Sequence, residues 1–232
     1  MRLLRKMRKN DSRLEIIWNG LIEVEGDASC TLDMDEPYRF AIRAILSAQC
    51  TDKRVNITCA ELFEEVKTAR EVLALGKEEL SARIKPCGLH KAKAKSIMQM
   101  TELYLGKWQE TIPNDVDELM SCPGIGRKIA NLLVGELYGE PALVVDTHFK
   151  RVAKRLGLTK SGYPIVVERD VTKLYDSSKW IRLGHMVVSF GRDFCTAREP
   201  KCEVCPLSDV CPEGKKVLRE KIISKQKKDA AK

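Results

Sequence analysis

The sequence predicts an all-α protein. Apolar residues recur at i, i+3 and i+4 in one segment after another, no stretch alternates as a half-buried strand would, and prolines and glycines mark the breaks. At 232 residues the chain has room for one large or two modest domains, and 44% hydrophobic content is enough to fill real cores. No internal repeat is present.

Taken in order, Ser12-Arg13-Leu14-Glu15 has the spacing of a capping box, and Leu14, Ile17, Trp18, Leu21 and Ile22 form the stripe of a first helix ending near Glu25. Gly26 to Glu36 is a polar connection and the best candidate for a domain crossing. Pro37 suits the first turn of a helix whose apolar face is Phe40, Ala41, Ala44, Ile45 and Ala48. Thr51 or Asp52 then caps a helix carrying Val55, Leu62, Phe63 and Val66. Gly76 separates two short helices, Thr68 to Leu75 and Lys77 to Ile84. Pro86-Cys87-Gly88-Leu89 is a turn, and the helix after it, His90 to Leu105, carries Lys91, Lys93 and Lys95, read as a solvated face.

Asp115 to Met120 and Arg127 to Tyr138 are helical stretches on either side of Cys122-Pro123-Gly124-Ile125-Gly126, and Ile129, Leu132, Leu133 and Leu137 are the apolar positions of the second. Pro141 to Val145 is too short to assign by period. Asp146-Thr147 caps a helix with Phe149, Val152, Ala153 and Leu156, stopped by Gly157. Two more helices are predicted over Pro164 to Asp176 and Lys179 to Gly191. The tail from Glu213 begins as a helix and its Lys-rich end reads as disordered.

Lys and Arg outnumber Asp and Glu by 41 to 33, a formal charge of +8 and a pI near 9.0. Such a surface favours an anionic partner, nucleic acid or a membrane surface. No apolar run approaches the roughly 18 residues of a membrane span. The start, Met1 to Lys9, lacks the apolar core of a secretory signal and the serines and length of an organelle-targeting leader. The expectation is a protein kept in the cytoplasm.

Nine cysteines in a reducing compartment are not read as disulfides. Cys30, Cys50, Cys59, Cys87 and Cys122 are scattered and read as small buried apolar residues. Cys195, Cys202, Cys205 and Cys211 form C-x6-C-x2-C-x5-C, and Pro200, Pro206 and Pro212 stiffen the loops between them. Four thiolates so close in sequence can enclose one metal centre without long-range help from the fold. Thiolate ligation favours Fe–S or zinc, and the spacing leaves both open.

The Gly124-Ile125-Gly126 turn can approach a ligand closely, and the free N–H groups opening the next helix lie at its positive end. That is a site for a phosphate, and a plain helix-to-helix connection is the competing reading. Lys128 lies in the first turn of that helix. An ordinary lysine is the free amine in only about one molecule in 2500 at pH 7, so a nucleophilic lysine needs tuning. The helix's positive end and burial both favour the neutral amine.

Taken together, Leu46-Ser47-Ala48-Gln49 with Thr51-Asp52, Gly88-Leu89, Cys122 to Lys128, Val145-Asp146-Thr147-His148, Gly191-Arg192 and the four cysteines resemble the endonuclease III family. Its members are DNA glycosylases and lyases of the helix-hairpin-helix superfamily. The resemblance runs from about Asp11 to Cys211. It implies a six-helix domain over 30–140, with the helix-hairpin-helix at about 115–138, and a second domain built from 1–29 and 141–232 that holds a [4Fe–4S] cluster in the loop 195–211. It implies double-stranded DNA with oxidised pyrimidines or abasic sites as the partner, no membrane, a monomer, and a location with the nucleoid.

The family's chemistry maps onto Lys128 as the amine that attacks the sugar C1′, leading through a Schiff base to β-elimination, and onto Asp146 as the carboxylate that stabilises the developing positive charge. The helix-capping role of Asp146 can coexist with that one. The resemblance makes Gln49 and Leu89 the plugs that fill the gap left by the extruded base. It assigns Gly124, Gly126, Arg127, His148 and Arg192 to the DNA-binding set, with a structural hydrogen bond as the competing reading of His148. Arg198 and Lys201, in the first cysteine loop, are read as phosphate contacts. The chain departs from the family at Ile129, where threonine is common, at Cys122, where leucine is common, and at Cys50, where alanine is usual. Cys122 is the one flagged for altered packing or oxidation. A monofunctional mismatch glycosylase and a non-catalytic DNA-binding module are the competing readings, and Lys128 with Asp146 argues against both.

Overall fold

The computed structural model describes the backbone of residues 2–229 and the side chains of 12–224 and 226. Among the described residues there are eleven α-helices, three short 3₁₀ turns and no strand, as the hydrophobic periodicity predicts. The chain falls into two units, one made of Met1–Ser29 with Leu143–Lys232, the other of Cys30–Ala142.

In the first unit, α1 (Arg2–Glu25) begins ten residues before the Ser12 capping box, which lies inside it. The run Arg2-Leu3-Leu4-Arg5-Lys6-Met7-Arg8-Lys9 is made of strong helix formers and needs no cap at Ser12. The side chains of the basic leader lie outside the described residues. Leu14, Ile17 and Leu21 of α1 enter a core with Phe149, Val152 and Ala153 of α8 (Thr147–Arg155), Val167 and Val171 of α9 (Pro164–Thr172) and Leu183, Met186, Val187 and Phe190 of α10 (Trp180–Asp193). α9 stops four residues short of the expected Asp176, and Ser177–Lys179 forms a 3₁₀ turn capped by the Asp176 side chain. α11 (Pro212–Asp229) carries the Lys-rich segment as a helix instead of the expected disordered end, and 230–232 lie outside the described residues.

In the second unit, α2 (Pro37–Leu46) is buried on nearly every side, from Tyr38 and Phe40 through Leu46, as a helix through the middle of a core must be. The expected apolar position Ala48 is exposed because the helix ends at Leu46. Against it pack α3 (Asp52–Glu65), α5 (His90–Leu105) and α7 (Arg127–Tyr138), with α4 (Ala69–Arg83) on α5 and α6 (Val116–Met120) on α7. α4 is opened by a capping box between Thr68 and Glu71 and broken at Gly76, whose φ of 77° divides it where the sequence places a break. Tyr38 Oη and Thr101 Oγ1 share a buried hydrogen bond of 2.7 Å.

Arg43 is buried within α2, and its Nη1 and Nη2 donate to the two Asp35 carboxylate oxygens, the Nη2 bond being 3.2 Å, while its buried Nε has no hydrogen-bond partner among the described residues. Burial pushes the Asp35 carboxyl up, but the Arg43 hydrogen bonds and charge outweigh it and hold the carboxyl below its usual value. Because the folded value lies below the unfolded one, the pair stabilises the protein above about pH 4 and loses that contribution as the pH falls through the folded value. Asp35→Asn therefore lowers the urea midpoint at pH 7, and the gap to wild type narrows below pH 4. Helical circular dichroism against urea at both pH values checks this.

Candidate functional site

The hairpin is shaped by a steric restriction. Asp115 caps α6, its Oδ1 accepting the Glu118 N–H at 2.7 Å, and the Ile125 N–H closes the turn onto the Cys122 carbonyl at 3.1 Å. Gly124 has φ +95°, and a Cβ there would fall inside the Ser96 side chain of α5. Both its left-handed backbone and its contact with α5 therefore require glycine. At Gly126 a Cβ meets nothing, so its bareness leaves open surface instead of relieving an internal clash. The Gly126 carbonyl accepts from Ile129 and Ala130 (2.9 and 3.0 Å) and starts α7. Arg127 and Lys128 project from that first turn and are exposed. The burial invoked for Lys128 from the sequence is absent: its side chain is exposed at the start of α7.

Beneath the hairpin, Cys122 is 1% exposed and Ile129 is also buried. Burial pushes the Cys122 thiol up to about 11. A buried thiol so protonated is a poor target for oxidation, which corrects the liability flagged from the sequence and leaves packing as its role.

Gln49 and Leu89 share an unusual backbone. Gln49 has φ 53°, and Leu89, after Gly88 at φ 67°, has φ 48°. Left-handed non-glycine residues cost about 1–3 kcal/mol each and cluster at binding sites. Leu89 is also 57% exposed. Of the three lysines read as a solvated face, Lys91 and Lys95 are exposed but Lys93 is not, at 5%. Its Nζ donates to the Leu46 carbonyl at 2.9 Å and the Cys87 carbonyl at 2.8 Å. Burial lowers its pKa from the ordinary lysine value. The signal was present in the sequence, since residues two apart on a helix lie about 200° apart, so the middle lysine faces away from its neighbours.

In the other unit, Asp146 is the N-cap of α8, with Oδ1 accepting the Phe149 N–H at 2.7 Å. Capping occupies one carboxylate oxygen and leaves Oδ2 for other chemistry. His148 Nδ1 faces Arg151 Nη2 at 3.3 Å, the structural hydrogen bond weighed for it. Gly191 lets α10 pass close to α8, since a Cβ there would crowd His148 Cβ and Val152 Cγ2, both at 3.1 Å. Arg192 is exposed on the last turn of α10.

Cys195, Cys202, Cys205 and Cys211 line one pocket with Arg155, Leu156, Phe190, Phe194 and the start of α11. Burial raises the thiol pKa of Cys202, Cys205 and Cys211, and the neighbouring cysteines add to it. Arg155, which the sequence reasoning missed, donates from Nη1 to the Thr196 carbonyl (2.6 Å), the Cys195 carbonyl (3.3 Å) and Cys195 Sγ (3.4 Å), and from Nη2 to the Ala197 carbonyl (2.9 Å). Arg151 Nε reaches the Cys195 carbonyl at 3.1 Å. The Gly214 N–H points at Cys211 Sγ, 3.3 Å away. Arg198 and Lys201 are exposed on the loop these bonds hold. Among the described residues no three His, Cys, Asp or Glu side chains form a ligand set for a single metal ion.

Comparison with known proteins supplies an independent reading. Residues 42–177 match the family model of the HhH-GPD superfamily base excision DNA repair proteins, and residues 195–211 that of the iron-sulfur binding domain of endonuclease III. Endonuclease III of Bacillus subtilis (strain 168) is 36% identical over 208 residues, 89% of this chain and 95% of the relative. A non-covalent endonuclease III–DNA complex superposes with a TM-score of 0.86 at 37% identity, covering 90% of this chain and 98% of the other. A trapped endonuclease III–DNA covalent intermediate gives 0.84 at 37% identity, covering 89% and 98%.

Gly124→Ala is expected to lower the urea midpoint by the equivalent of about 2 kcal/mol or more, from left-handed strain together with the clash. Gly124→Ala with Ser96→Gly loses less than the two single variants together, because the two positions are in direct contact. Equilibrium unfolding of the four proteins measures the coupling.

Proposed function

Since the chain belongs to the endonuclease III family of the HhH-GPD base excision repair superfamily, and so is a DNA glycosylase and abasic-site lyase, we propose that it removes oxidised pyrimidines from double-stranded DNA through Lys128. The observation that carries this is a primary amine held exposed in the first turn of α7, at the helix's positive end, on a turn that only glycine at 124 can make.

The damaged nucleotide is rotated out of the stack, and Gln49 and Leu89 fill the gap. An amide able to pair with the orphan base and an exposed apolar wedge suit those tasks. The Lys128 Nζ lone pair forms a bond to the sugar C1′, and the C1′–N bond breaks with its electrons leaving on the base, which takes up a proton. The nitrogen, now a secondary ammonium, gives up one of its two protons, the C1′–O4′ bond breaks with O4′ taking up a proton, and the nitrogen keeps the other proton in the open-chain protonated Schiff base. Removal of a C2′ proton then expels the 3′ phosphate, nicking the strand. Asp146, with Oδ1 held by the Phe149 N–H, presents carboxylate charge to the cation that develops on the sugar. Gly124, Gly126, Arg127, His148, Arg192, Arg198 and Lys201 serve the DNA backbone and the site around it.

The four cysteines suit a [4Fe–4S] cluster. Their side chains line one pocket, and the loop that carries them, residues 195–211, matches the iron-sulfur binding domain of endonuclease III. When bound, the cluster cross-links the loop 195–211, and Arg155 holds the first part of that loop by its carbonyls. Acting on genomic DNA, the enzyme works as a cytoplasmic, nucleoid-associated monomer.

Borohydride reduction on duplex DNA carrying an oxidised pyrimidine is expected to trap a covalent adduct with the wild type and none with Lys128→Ala. A Lys128→Ala protein that still traps would overturn the amine's role. Asp146→Asn is expected to slow single-turnover excision by about a hundredfold. Metal analysis of protein purified without oxygen should find about four iron and four sulfide per chain. Zinc without iron would remove the cluster.

A further inference from the structure

Lys93 is the one buried lysine among the described residues, and its two hydrogen bonds reach chain segments on either side of α3 and α4. One accepts at Leu46, the last residue of α2, three residues before Gln49. The other accepts at Cys87, two residues before Leu89. Both segments then turn through a left-handed non-glycine residue whose side chain is exposed. A methionine would fill much the same space without an ammonium to desolvate. What the ammonium adds is directed donors, two of which are spent on these carbonyls.

We propose that Lys93 is a positioning residue that fixes the spacing of the Gln49 and Leu89 loops, so that both side chains enter the duplex together. The inference rests on the plug roles proposed for Gln49 and Leu89. Through Lys93 the end of α2 and the turn before α5 are tied to a single nitrogen. Either loop can still form without it, but the tie that joins both to one nitrogen is then lost. Misplacement of either tip by about 1 Å is enough to cost extrusion heavily.

The test compares the wild-type holoenzyme with Lys93→Met, Gln49→Ala/Leu89→Ala, and the triple variant. In free Lys93→Met, amide exchange is expected to rise at least about tenfold in both 47–50 and 87–89 while the α7 interior keeps its protection. Single-turnover excision of an oxidised pyrimidine from duplex is expected to fall at least about tenfold more than cleavage of a single strand carrying an abasic site, which needs no plug. In the background lacking both plugs, Lys93→Met costs nothing further in excision. Unchanged exchange in either loop, an equal loss on duplex and single strand, or a full further loss in the triple variant overturns the inference. If Lys93→Met does not fold, Lys93→Arg, which keeps the charge but moves the donors, is judged by the same three criteria. If Gln49→Ala/Leu89→Ala excises as well as wild type, the plug reading itself fails. If that variant is defective and Lys93→Met is not, only the role of Lys93 fails.

Discussion

Ser96 leaves no room for a Cβ at residue 124. That contact presses the hairpin against α5, and the start of α7, with Lys128 in its first turn, follows from where the turn is seated. Lys93 lies three residues before Ser96, on nearly the same side of α5. One stretch of a single helix therefore seats three segments that are far apart in sequence: the end of α2, the turn before α5, and the hairpin. The helix backbone provides a rigid reference, and two different contacts, a steric one at Ser96 and a polar one at Lys93, transfer that rigidity to flexible turns.

The other unit solves a similar problem with guanidinium groups. A loop of seventeen residues between Cys195 and Cys211 has too few apolar side chains to order itself. Arg155 and Arg151 donate to its carbonyls from α8, and Arg13 of α1 donates to the Val210 carbonyl at 3.2 Å. A planar donor fork satisfies several carbonyls at once, which a lysine cannot do as well. These bonds fall on backbone groups and leave Arg198 and Lys201 exposed on the loop. The same α8 begins at Asp146, so one helix carries the capping carboxylate at its start and the loop-holding arginines toward its end.

The chemistry of the departures follows burial. Cys122 and Ile129, the two departures at the hairpin, are both turned into the core beneath it, and the groups facing outward are Arg127, proposed for DNA binding, and Lys128, the proposed amine. The first turn of α7 divides into an outward pair, Arg127 and Lys128, and an inward pair, Ile129 and Ala130, because a helix places successive residues about 100° apart.

Much of this was legible in the sequence. α5 and α7 have the bounds their periodicity and flanking glycines predict, Gly76 divides α4, and Asp146 caps α8, because each depends on neighbours a few residues away. The spacing of the four cysteines marked a metal-binding loop for the same reason. Other features were not legible. The helical period shows that Lys93 faces away from Lys91 and Lys95, but only the packing of α5 against the end of α2 reveals that its side is the buried one. The extension of α1 to Arg2 and the stop of α9 at Thr172 escaped the local signals. So did the exposure of Lys128 and the reach of Arg155 to a loop about forty residues away. Local sequence determines helix starts, turn glycines and ligand spacing because short-range sterics and hydrogen bonds govern them. Tertiary structure alone decides which face of a helix is inward and which carbonyls a long side chain reaches, because those depend on segments that meet only when the chain is folded.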